Sequence, residues 1–311
     1  MKLLQVKRAL FLLLLFACAI PGVTTAEALT AGILFSLILG NPWPKETALI
    51  SKKLLKISLV GLGFGLSIGQ VLQEGRHSIV YSVVGIAFTL MAGTLIGMAC
   101  KTPPKTSRLI TFGTAICGGS AIAAMAPVIK AENDDIAVSL ATVFTLNSLA
   151  LLLFPVIGHM ISLNQHSFGV WSGLAIHDIS SVVGATSVYG RQALEIGTTV
   201  KMTRVLWIVP VVALFGWMNK SNSKIGIPLF IIGFLIAASL RSLLPQYTPV
   251  IWEKLARISG QGLVITLFLI GGGISRNVLR NVGIRPLIQG VSLWVIVSTL
   301  TLTALIKGVI G

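Results

Sequence analysis

Long apolar runs, separated by short charged or Pro/Gly/Asn-rich stretches, follow one another along the whole chain. Residues 77–100, 109–129 and 286–306 carry no formal charge, and 136–190 carries only Asp178. About 20 apolar residues in helical form cross the ~30 Å hydrocarbon core of a bilayer. The pattern therefore predicts eleven transmembrane helices, over 9–23, 28–41, 57–72, 79–99, 109–129, 136–158, 168–190, 197–218, 225–241, 258–275 and 287–306. The runs are continuously apolar, with no period-2 alternation, which excludes a transmembrane β-barrel. The expected fold is an all-α polytopic membrane protein, one transmembrane domain over 1–311.

An odd number of spans has an architectural consequence. With 9–23 set aside as an extra first helix, the other ten divide into 28–158 and 168–306, five-helix repeats running in opposite directions. Inverted repeats are a common transporter architecture, with the substrate near the midplane where broken helices meet. In the fourth span of each repeat, adjacent glycines predict unwinding: Cys117-Gly118-Gly119-Ser120 in the first and Gly271-Gly272-Gly273 in the second. Close helix–helix packing is the competing reading of both runs.

Composition agrees with lipid as the solvent: 54% hydrophobic, only 11% charged, and a mean hydropathy of +0.91. The net charge of +15 would suit nucleic acid if the basic residues formed a patch, but they lie between apolar runs, so no nucleic-acid partner is expected. Their distribution predicts orientation instead. With the N-terminus inside, the cytoplasmic segments hold Lys2, Lys7, Arg8, Lys45, Lys52, Lys53, Lys56, Lys101, Lys105, Arg108, Lys220, Lys224, Arg276, Arg280 and Arg285. The C-terminus is then outside. Residues 1–26 also read as a signal peptide, and cleavage would leave the remaining spans oriented identically. Cys18, Cys100 and Cys117 and the four histidines show no metal-ligand spacing; no metal or cofactor is expected.

Candidate chemistry sits where polar groups enter apolar runs. Asp178, beside His177, lies ten residues into the seventh span. An intramembrane carboxylate costs ~2.5–3.5 kcal/mol on insertion scales, so such a residue faces a cavity, a partner or a pathway. Carboxylate and imidazole together can carry a proton, and Ser180 and Ser181 continue a small, hydroxylated stretch suited to a polar wall. Capping of a half-helix is the competing structural role. Lys201 and Arg204, at i and i+3, share one helix face; they repel unless Asp178, Glu195 or a bound anion lies between them, or unless they snorkel to the interface. Arginine also suits planar recognition of oxyanions. Asn147, mid-span in 136–158, needs partners, which an unwound neighbouring helix would supply. Asp134 and Asp135 read as N-caps opening the sixth span.

Taken together, Cys117 to Ala124, Ala126 to Ile129, Asn147, Ala175 to Ala185, Ala193-Leu194 and Thr199 to Arg204 resemble the sulfate-exporter (YeiH-like) family of bacterial inner-membrane proteins. The resemblance covers most of the chain and is sharpest between 110 and 210. It departs at Ser180-Ser181, where the family pattern has Gln second. It implies a bacterial inner-membrane secondary transporter of a small inorganic or organic anion, in a fold similar to the sodium/proton-antiporter and bile-acid-symporter group, whose members are often homodimers. Sulfate, sulfite, sulfonates and bicarbonate are the candidate substrates.

The expected activity is alternating-access anion transport, coupled to H⁺ or Na⁺. Cys117, Gly118, Gly119, Ser120, Asn147, Ser180, Ser181, Lys201, Arg204, Gly272 and Gly273 would bind substrate, and His177 and Asp178 would couple the ion. A cation/proton antiporter with Asp178 as exchange site is the alternative. An intramembrane serine hydrolase using Ser120 and His177 is a remote third.

Overall fold

The computed structural model describes residues 2–20, 22–218, 229–244, 249–273 and 283–310, and all regular structure within them is helical. Five of the described helices are long and apolar enough to cross a membrane: Ile79–Ala99, Asp134–Met160, Arg191–Met218, Val250–Gly272 and Ile284–Ile306. The start of the predicted 225–241 span, the end of 258–275, and Lys220, Lys224, Arg276 and Arg280 lie outside the described residues. By its internal contacts the chain divides into two compact units. One holds 1–73 with 228–277, the other 74–227 with 278–311.

The first unit contains α1 (Lys2–Ala17), α2 (Thr25–Ile38), α3 (Pro44–Gly63), α12 (Leu229–Leu243) and α13 (Pro249–Gly272). Here α3 starts well before the predicted 57–72 span. Pro44 opens it at a position where a missing N–H costs nothing, and Thr47, Ser51, Leu55, Ser58 and Leu59 form its buried stripe. Lys45, Lys52, Lys53 and Lys56, expected in a loop, ride on its exposed face. The helix ends at Gly63, and α4 (Ile68–Ala99) begins four residues beyond Phe64, so the 57–72 run is divided between two helices.

At the predicted break over 271–273, α13 stays helical to Gly272 and Gly273 lies in a turn, the last described residue there. Its glycines serve packing. A Cβ on Gly271 would lie 2.5 Å from the Leu29 carbonyl oxygen, and one on Gly32 would collide with the Phe268 carbonyl. Small residues thus let α2 and α13 touch backbone to backbone. Phe11 meets Phe35, Trp43 and Phe268 edge-on or tilted beside this contact.

The second unit holds α4 beyond its first turns, α5 (Pro104–Ala115), α6 (Gly119–Met125), α7 (Asn133–Met160), α8 (Gln165–Ala175), α9 (Ile179–Tyr189), α10 (Arg191–Leu206), α11 (Ile208–Met218) and α14 (Ile284–Ile306). The apolar run 109–129 does not traverse it. Were α5 and α6 one broken but onward helix, Gly113 and Ile122 would stand roughly 13 Å apart. Instead a Cβ on Gly113 would lie 3.0 Å from Ile122 Cδ1. At the open end, Lys105 Nζ meets Glu132 Oε1 at 3.3 Å and Thr106 Oγ1 donates to Asp135 Oδ1 at 2.6 Å. The segment enters and leaves at the N-terminal end of α7. It is a helical hairpin.

The run 168–190 folds the same way from the other end. Tyr189 stacks on Phe168 with ring centroids 3.7 Å apart and its hydroxyl donates to the Leu163 carbonyl at 2.5 Å. Gln165 Oε1 accepts from the Gln192 N–H at 3.0 Å. The mouth of α8–α9 therefore sits just past the C-terminal end of α7, where His159 stacks on Tyr189. Two hairpin-plus-helix segments of opposite direction result, α5–α6–α7 and α8–α9–α10. Gln289, fully buried on α14, fastens that helix by placing its amide nitrogen near the Gly93 carbonyl (3.1 Å), Ser107 Oγ (2.9 Å) and Thr111 Oγ1 (3.3 Å).

Candidate functional site

The two hairpin tips meet. In the first, α5 ends at Ala115 and the chain unwinds through Ile116, Cys117 and Gly118, whose φ of +67° and ψ of −126° belong to glycine. In the second, α8 ends at Ala175, Ile176 is extended, and Asp178 opens α9. A Cβ on Gly118 would lie 3.2 Å from the Asp178 Cβ and 3.6 Å from Asn147 Nδ2. Asn147 is near the middle of α7, a helix roughly 42 Å long at ~1.5 Å per residue. The tips therefore converge halfway along a helix long enough to span the bilayer.

A hairpin tip inside lipid leaves helix-end carbonyls without partners, and α10 supplies them. Lys201 Nζ donates to the Ile176 carbonyl at 2.5 Å. Arg204 Nε donates to the Ala115 carbonyl at 2.7 Å, and its Nη1 donates to the Leu174 carbonyl. Arg204 thus holds the C-terminal end of α5 with one nitrogen and that of α8 with another. Both cations are fully buried, 0% and 1% exposed, so neither snorkels. Glu195, considered as their counter-charge, pairs with exposed Arg191 at 3.1 Å instead. Lys201 and Cys117 lie within electrostatic reach of each other, of Asp178 and of Arg204.

Asp178 plays the capping role: its Oδ1 accepts from the Ser181 N–H at 3.2 Å, at the first turn of α9. Ser180 precedes Ser181 there, half-buried. Several buried polar atoms around the tips have no hydrogen-bond partner among the described residues: both side-chain atoms of Asn147, both ring nitrogens of His177, Arg204 Nη2 and Thr198 Oγ1. Unpaired buried polar groups are costly, ~1–3 kcal/mol each, and several of them lie beside the tips. With both nitrogens unpaired, His177 makes no hydrogen bond to Ser120, which is exposed on the first turn of α6.

Cys117, Gly118, Gly119, Asn147, His177, Asp178, Ser180, Ser181, Lys201 and Arg204 thus belong to one locality, with Ser120 at its edge. Gly272 and Gly273 fall in the first unit, where Asn41 Nδ2 donates to the Gly272 carbonyl at 2.9 Å. The caps of α7 also differ in detail. Glu132 is the N-cap and Asp135 returns a hydrogen bond to its N–H at 3.1 Å. The sequence reading missed the backbone acceptors Ala115, Leu174 and Ile176, and it missed Gln289. A lone amide in the charge-free 286–306 run was the available signal for the last.

No solved structure matches the chain. A family model described as "Conserved hypothetical protein 698" matches residues 4–290. The chain is 61% identical to a UPF0324 membrane protein of Geobacter sulfurreducens over 97% of each chain. It is 48% identical to one of Bdellovibrio bacteriovorus, over 94% of this chain and 91% of the relative, and 44% identical to one of Vibrio vulnificus, over 95% and 97%. These descriptions name a membrane protein and leave sulfate export, which the YeiH-like resemblance implied, without support. The chain belongs to the Conserved hypothetical protein 698 family of UPF0324 membrane proteins.

Proposed function

We propose that the protein is a secondary active transporter that moves a small anion by alternating access, with the substrate bound where the two hairpin tips meet. One observation carries the reading: hairpins entering from opposite ends of α7 bring unwound backbone to a common point beside two buried cations. Irregular backbone at membrane depth is tolerated where it is buried in protein or lines a water-filled cavity. Opposed hairpins also give each side of the membrane its own gate. The excess of cation over carboxylate favours an anion over the cation of an antiporter, and Asp178 already serves as a helix cap. His177 and Asp178, at the second tip, are placed to couple H⁺ or Na⁺.

The mouths support an orientation in the bacterial inner membrane. Around the α5–α6 mouth lie Lys101, Lys105, Arg108 and Lys130, whereas Arg191 is the basic residue at the α8–α9 mouth. By the positive-inside rule the first hairpin enters from the cytoplasm, in line with a cytoplasmic N-terminus and an outside C-terminus.

The test is reconstitution. Currents across a solid-supported membrane, evoked by jumps of sulfate, bicarbonate or 2-hydroxyethanesulfonate, should appear with the native protein. They should vanish in Arg204→Ala and fall at least about tenfold in Asn147→Ala, which leaves the carbonyl caps in place. Silence toward every anion in the native protein, or native-sized currents in folded Arg204→Ala, would sink the proposal.

A further inference from the structure

We infer that the ligand at the hairpin tips is a small anion of single charge that carries a hydrogen-bond donor of its own, and not a dianion such as sulfate. This rests on the transporter reading of the same site and deepens it to a substrate class. Charge comes first. Lys201 and Arg204 contribute two positive formal charges and Asp178 one negative, leaving one positive charge. The helix ends at the tips do not change that balance, since two C-terminal ends (α5, α8) and two N-terminal ends (α6, α9) offset one another. Before any coupling cation joins it, a monoanion makes the loaded site neutral. A dianion bound without a cation leaves an unbalanced negative charge at the depth where uncompensated charge is most costly.

Hydrogen bonding leads to the same class. The cations are partly committed before a ligand arrives: Lys201 gives one of its three N–H groups to the Ile176 carbonyl, and Arg204 gives two of its five, one from Nε to Ala115 and one from Nη1 to Leu174. Its Nη2 is a charged nitrogen with no partner among the described residues. The uncommitted groups also include acceptors. Asn147 offers Oδ1, a neutral His177 offers one ring nitrogen, and Asp178 has a second oxygen beyond the one on the Ser181 N–H. An oxyanion with acceptors alone satisfies none of these and sets its oxygens against the Asp178 carboxylate. A hydroxyl on the ligand fills one of them. Sites built around a ligand hydroxyl reject analogues that lack it far more strongly than apolar pockets reject a missing methylene.

Four sodium salts at matched ionic strength separate these features in a thermal-shift titration of the purified full-length protein. 2-Hydroxyethanesulfonate and bicarbonate are monoanions with a donor, ethanesulfonate is a monoanion without one, and sulfate is a dianion without one. The expected order is hydroxylated monoanions first, by at least about tenfold over ethanesulfonate, with sulfate weakest. Asp178→Asn removes the carboxylate yet keeps a good N-cap, so it should raise sulfate affinity about tenfold relative to 2-hydroxyethanesulfonate. Sulfate binding most tightly to the native protein would overturn the inference while leaving an anion transporter standing. No shift with any of the four would overturn both. The native-protein order decides the matter even if Asp178→Asn fails to fold, and an unchanged order in a folded Asp178→Asn counts against the inference.

Discussion

Cys117-Gly118-Gly119-Ser120 and Gly271-Gly272-Gly273 are alike on paper: small residues, adjacent glycines, apolar flanks. In the fold they do opposite things. At Gly118 the backbone takes a φ of +67°, the chain reverses, and an α10 arginine holds the carbonyl released at Ala115. At Gly271 the backbone is helical, and the missing side chain lets α2 press against α13. The difference lies in the partners. A helix can unwind in lipid only where something else takes up its carbonyls, and Arg204, 89 residues beyond Ala115 in sequence, does so for the first run. Glycine permits a break, and a buried cation within reach stabilises one.

The largest effect that can break this comparison is all-or-none. If 116–118 is a hairpin tip, cysteines replacing Lys105 and Glu132 react with a membrane-impermeant maleimide from the same side of sealed vesicles. Cysteines replacing Asn164 and Arg191 react together from the other side. A transmembrane 109–129 run demands that positions 105 and 132 label from opposite sides, and that outcome would end the hairpin assignment. Next in size is Gly118→Ala. The strained φ costs ~1–3 kcal/mol in any residue with a Cβ, and that Cβ would stand 3.2 Å from the Asp178 Cβ. Apparent melting temperature should fall and flux should be lost even per folded molecule.

Hydropathy made the long helices legible and hid the hairpins, for one physical reason. A run of 21 apolar residues has the same transfer free energy whether it crosses or turns back halfway, so length alone cannot separate the two. The charges held a clue. Lys130 falls on the outer side if 109–129 crosses, against the orientation rule, whereas a hairpin returns it to the side of Lys101, Lys105 and Arg108. The site was more readable than the fold around it. Asp178, His177, Asn147, Lys201 and Arg204 stand out because each is costly in lipid, and the structure gathers them at the tips. Their division of labour was not readable. That Arg204 holds Ala115 and Leu174 depends on backbone atoms, which carry no residue-specific signal.

The smaller effects belong to the second glycine run. Gly271→Ala forces a Cβ to 2.5 Å from the Leu29 carbonyl oxygen and 2.9 Å from the Ile33 nitrogen, an overpacking that should cost ~1–3 kcal/mol. Because α13 is not unwound there, flux per folded molecule should stay native. Gly272→Ala should do least. Its Cβ would meet Phe11 Cε2 at 3.4 Å and Asn41 Nδ2 at 3.9 Å, both ordinary contacts, and the Asn41 hydrogen bond reaches its carbonyl, which alanine keeps. Stability measured by thermal unfolding should move within about 0.5 kcal/mol, and anion currents should match the native protein. A stable Gly272→Ala that no longer carries current would mean the two glycine runs share a mechanism, with 271–273 as a working hinge.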